Sequence, residues 1–206
     1  MKTDNNTKLS TLLFNPFARV AGAKALVIGG AAILLAGFLG VLSKTHFDGV
    51  LDTHTGGNAP VWFFLSEGFI DWICLTATLL IAGRIASRTS FRTIDLVGTQ
   101  AMARWPTVLV SLIVLPKGYQ RFTNSLIEQF VKHGEKAEFV GVDAFIFLAV
   151  ALGMVLLLCW MVFLMYKSYS ISCNLSGTRA LFTFAGGVIV AEALSKTALF
   201  FLLKQA

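Results

Sequence analysis

Apolar residues gather in five stretches separated by short polar segments, and that pattern predicts an all-α membrane protein with five transmembrane helices. The first stretch, Ala25 to Leu42, is eighteen residues without a charge. The second runs from Val61, just after Pro60, to Gly83, just before Arg84; the fourth is Val140 to Tyr166 and the fifth Leu181 to Leu203. All four approach or exceed the roughly 20 apolar residues that a bilayer crossing needs. The third is weaker, because Ile94 to Ala103 is amphipathic and only Trp105 to Leu115 is uninterrupted, between Arg104 and Pro116. A span centred on Arg104 would cost about 3 kcal/mol on insertion scales, so the pattern predicts an interfacial helix over Phe91 to Ala103 leading into a span at about 105–122. From Lys117 to Phe139 the chain is polar, but Phe122, Leu126, Ile127, Phe130 and Val131 recur at helical spacing and predict a helix lying on the surface.

Composition agrees with this class. Of 206 residues 56% are hydrophobic and 14% charged, against about 25% charged in soluble domains, and mean hydropathy is +0.74. One membrane domain over 25–203 behind a cytoplasmic leader, 1–24, is the expected organisation. The net charge of +6 is explained by topology signals and anionic lipid headgroups, and no basic run points to nucleic acid. Ten Lys and Arg residues fall in the leader, around 84–104 and around 167–179, against six in the segments between. The positive-inside rule then predicts a protein of the inner (plasma) membrane, N-terminus in the cytoplasm and C-terminus outside. The polar leader reaches Lys24 and the apolar segment behind it exceeds a signal-peptide core, so the first helix is expected to stay in place. Cys74, Cys159 and Cys173 stand singly and read as small buried residues.

Charges inside the apolar stretches are the main functional lead. Glu67 and Asp71 lie four apart, with Cys74 and Thr78 continuing the same helical face, so the two acids should face the bundle interior. A proton or cation relay that shares protons between them is one reading; pairing with Lys196, an arginine or backbone groups elsewhere is the other. Glu192 and Lys196 repeat the spacing with opposite signs and are expected to pair with each other. Asp143, at the start of the fourth stretch, is expected at the interface. In the first span Ala32, Ala36 and Gly40 form a row of small residues suited to close helix approach, within the bundle or in a homo-oligomer. Gly186-Gly187 in the fifth span reads as a packing notch or a kink.

The loop after the first span reads His46-Phe47-Asp48-Gly49-Val50-Leu51-Asp52-Thr53-His54. His46, Asp48, Asp52 and His54 are transition-metal ligand types, yet their spacing matches no standard site and Asp48-Gly49 is turn chemistry, which favours a solvated loop with no metal. His133 stands alone and supports no site. No nucleophile, phosphate-loop or zinc-protease motif is present, so an enzyme is not expected.

Gly98-Thr99-Gln100-Ala101-Met102 and Gly177-Thr178-Arg179-Ala180-Leu181 are similar words 79 residues apart, which suggests that spans two and three repeat as spans four and five. The five-span plan, Phe14-Asn15-Pro16-Phe17, the run from Gly98 to Trp105-Pro106, and Trp160 followed by Tyr169-Ser170-Ile171-Ser172 and by Gly177 to Leu181 resemble the Yip family of Ypt/Rab-interacting membrane proteins, in its bacterial branch. The Asp-Leu-Tyr-Gly-Pro motif of eukaryotic members is missing from the leader; Asp95-Leu96-Val97-Gly98 lies elsewhere and does not replace it. The resemblance implies a small five-helix membrane protein without cofactor that binds protein partners and organises membranes. The alternative from the residues is a small transporter or channel using Glu67 and Asp71.

Overall fold

The computed structural model describes residues 11, 13–57, 59–131 and 141–204; much of the leader and residues 132–139 of the polar 117–139 segment, His133 among them, lie outside them. The described chain is almost wholly helical: α1 (Gly22–Ser43), α2 (Val61–Ala86), α3 (Thr93–Ala103), α4 (Pro106–Ile113), α5 (Lys117–Leu126), α6 (Gly141–Ser172) and α7 (Gly177–Leu203). A minimal antiparallel hairpin, β1 (Thr45–His46) with β2 (His54–Thr55), follows α1 and sets Thr45 opposite Thr55 and His46 opposite His54. Four helices, α1, α2, α6 and α7, are long and apolar enough to cross a membrane.

Polar positions and glycines decide how the helices end and approach. Gly22 and Gly177 open α1 and α7 with left-handed φ of 60° and 64°, angles that favour glycine. Gly98 packs on the Gly22 carbonyl and Gly29 on the Ala101–Met102 backbone, so a side chain at Gly29 would collide with main chain. Closeness of this kind is what small residues give helices in lipid. Gly187 meets Leu79 while Gly186 faces open space, and α7 runs on unbroken, so the pair is a notch and not a kink. The two similar words do not hold equivalent places, since Gly98 lies inside α3 and Gly177 is the first residue of α7.

The third apolar stretch departs from the expected layout. No helix covers 105–122: α4 ends at Ile113, Val114 to Pro116 break the chain and α5 starts at Lys117. Nor is α3 interfacial, because Leu96 and Gly98 to Ala103 are buried between α1, α2 and α6. The pair α3–α4 runs beside α1 in the same direction, with Gly98 near Gly22, Ala101 near Gly29, and Ser111 donating to the Ala36 carbonyl at 3.2 Å. The break at Arg104-Trp105 precedes Pro106, which has no N–H to continue a helical ladder.

Helix α6 lies antiparallel to this broken helix. Gln100 Nε2 donates to the Met165 carbonyl at 3.0 Å, and the Ser168 hydroxyl meets that of Thr99 at 2.8 Å. The main core joins Leu75, Leu79, Leu96, Met161, Leu164, Met165, Tyr169 and Phe184. Before α1, a 3-10 turn (Pro16–Ala18) carries the chain past α6, where the Trp160 indole donates to the Leu13 carbonyl at 3.1 Å and Phe14 rests against Trp160 and Phe163.

Candidate functional site

Glu67 and Asp71 are both fully buried one turn apart on α2, as their spacing predicts. No hydrogen bond joins the two among the described residues. Each has its own partners: Glu67 Oε1 lies 2.6 Å from His46 Nδ1 and Oε2 accepts the Phe47 N–H at 3.0 Å. Asp71 Oδ2 accepts from Arg104 Nη2 at 2.9 Å, and Oδ1 accepts the Ser195 hydroxyl of α7. A buried carboxylate is tolerated in this way only when a charge or several donors meet it. Of the partners expected from sequence, an arginine and a backbone group are present, while Lys196 pairs instead with Asp52 and Glu192.

Arg104 is the charge that sequence reasoning placed at the surface. It is 1% exposed, at the break between α3 and α4, and Nη1 finds no partner among the described residues. Arg104 borders a void of about 10 Å³ shared with Gly37, Gly68 and Thr107, room for one water.

The Glu192–Lys196 pair forms, at 3.4 Å, but it is only part of a larger set. Lys196 Nζ reaches Asp52 Oδ2 at 2.5 Å, and Glu192 Oε2 accepts the Leu51 N–H at 2.9 Å. Asp143 is buried at the head of α6, gripped by Arg121 through Nε at 2.7 Å and Nη2 at 2.6 Å, with the guanidinium reaching solvent.

These bonds pull the 44–57 loop onto the bundle. It is not a solvated loop: Phe47 and Val50 are buried, Glu67 holds His46 and Phe47, Glu192 holds Leu51, and the Thr55 hydroxyl meets Tyr119 at 3.1 Å. Phe47, Val50 and Leu51, apolar residues interleaved with the acids, were the sequence signal for this docking. Of the four loop candidates, Asp48, Asp52 and His54 converge, their ligand atoms all within 4.8 Å of one another. His46 turns inward, stacked between Phe64 at 4.2 Å and His54 at 5.3 Å, ring centre to ring centre.

A cavity of about 650 Å³ opens where the loop meets α2 and α7. Its polar wall is His46, Asp48, His54, Glu67 and Lys196, and its apolar wall includes Phe63, Leu199 and Phe200. The arrangement offers carboxylates, imidazoles and an ammonium beside an apolar surface. Comparison with family models, with curated proteins and with solved structures finds no match to this chain.

Proposed function

We propose that this chain is a non-enzymatic membrane protein of the Yip type, crossing the bilayer five times, that binds membrane or cytoplasmic protein partners and organises the membrane around it. Its intramembrane charges act as internal locks. The observation that carries this reading is that each of the buried acids, Glu67, Asp71 and Asp143, is answered by a side chain from a different element: His46, Arg104 and Arg121. Charges satisfied within a bundle fix its register and leave no ionised group waiting for a transported ion. The α3–α4 pair is the fifth crossing, since it follows α1 from Gly22 to Ala36 in the same sense. The N-terminus then lies in the cytoplasm of the inner membrane and the C-terminus outside.

Two measurements test the reading together. Crosslinking the full chain in its native membrane is expected to trap discrete protein adducts, and liposomes containing the purified chain are expected to pass no protons or ions above the empty-vesicle rate. A flux that disappears in Glu67→Gln or Asp71→Asn protein of intact helicity would overturn it. Such a flux belongs to the second reading, a small transporter or channel, which the 650 Å³ cavity reaching Glu67 favours.

A further inference from the structure

We propose that the docked loop carries a site for one divalent transition-metal ion of the zinc class, formed by Asp48, Asp52 and His54, with His46 as the fourth donor. The site goes beyond the partner-binding reading and stands whether or not that reading holds.

Convergence is the first ground. Bonds of about 2.0–2.2 Å at a tetrahedral zinc set neighbouring ligand atoms about 3.3–3.6 Å apart. The loop already brings three ligand side chains within 4.8 Å of each other, and their side-chain torsions supply the freedom to close the remaining gap. The hairpin register provides the frame. His46 and His54 are directly opposite on paired strands, where cross-strand side chains are nearest neighbours.

The second ground is the state of His46. The residue is 6% exposed, its Nδ1 is fixed by the Glu67 carboxylate at 2.6 Å, and its Nε2 hydrogen-bonds no described residue. That side chain borders the same cavity as Asp48 and His54, beside Gly57. An imidazole oriented by a carboxylate behind it, with the other nitrogen left for a metal, is how metal-binding histidines are held. Two imidazoles with two carboxylates suit zinc, cobalt or nickel, whereas calcium and magnesium take oxygen shells.

Charge supplies the third ground and the most specific consequence. Asp52 is countered now by Lys196, whose ammonium sits 2.5 Å away, while Asp48 lies 3.2 Å from His54 Nδ1. A metal ion displaces the Lys196 ammonium, and Glu192, 3.4 Å from the same ammonium, receives it. Lys196 is thus a built-in competitor for the cation site.

The test titrates the full chain in detergent, first stripped by chelator, with Co2+ and then Zn2+. One Co2+ per chain with the visible absorption of a tetrahedral centre is expected, displaced by Zn2+. The double variant Asp48→Asn, His54→Ala should bind at least about 100-fold more weakly with helicity unchanged, and Lys196→Met about tenfold more tightly. Absence of Co2+ and Zn2+ binding by the folded wild type overturns the proposal, as does equal affinity in the double variant. Should the double variant not fold, Lys196→Met decides: affinity unchanged or weakened overturns it.

Discussion

Arg104 and Asp71 form an ion pair sealed inside the bundle, Nη2 to Oδ2 at 2.9 Å, and it joins the break in the third apolar helix to the middle of α2. Removing one partner leaves the other charge buried and unanswered. Arg104→Met is therefore expected to destabilise the bundle by about 3–5 kcal/mol, and Asp71→Asn combined with Arg104→Met by less than Arg104→Met alone. Thermal unfolding in detergent measures both; additive losses would show that the pair is not coupled.

Close approach of α1 and α3 makes a second prediction. Gly29→Ala sets a methyl against the Ala101–Met102 backbone, whereas Gly30→Ala points into open space. The first is expected to cost about 1–3 kcal/mol as an overpacked contact, and the second to be neutral or to gain up to about 1 kcal/mol from helix propensity. The two neighbouring variants control for each other in the same unfolding assay.

Thiol chemistry gives a third. Cys173, buried in the α6–α7 turn, has its thiol pushed up from the ordinary 9.0 to about 12 by burial, with Arg84 opposing. The folded chain keeps this proton where the unfolded chain has lost it, so the stability present below about pH 9 falls as pH rises toward 12. Maleimide at pH 8 should leave Cys173 unmodified until the chain unfolds. Rapid labelling of Cys173 in folded protein contradicts this.

Crossing number is open to a direct reading as well. With α3–α4 as a fifth crossing, a phosphatase fused after Lys204 is active outside the cell, while one fused in the 87–92 segment stays inactive in the cytoplasm. Four crossings would put both fusions in the cytoplasm.

The four long helices were legible because apolar runs of such length have few other uses, and the i,i+4 rule found Glu192 with Lys196. The broken helix was hidden for a specific reason. An insertion scale charges Arg104 its full cost because it sees one segment at a time, and the carboxylate that offsets the cost lies 33 residues earlier. Asp52 likewise lies 144 residues from Lys196, beyond any local pairing rule. The loop was misread through its turn letters, Asp48-Gly49, when Phe47 and Val50 already had the apolar character of a docked segment. Convergence of Asp48, Asp52 and His54 needed the hairpin register, which two-residue strands do not announce.

The indole of Trp160 grips the chain at Leu13, ahead of the first helix, and Phe14 is wedged beside it. In mechanical terms the leader is fastened like a strap to the flank of α6 before it ever reaches α1. A tug on the N-terminal arm would therefore be felt first by α6 and, through Gln100 and Thr99, by the broken helix.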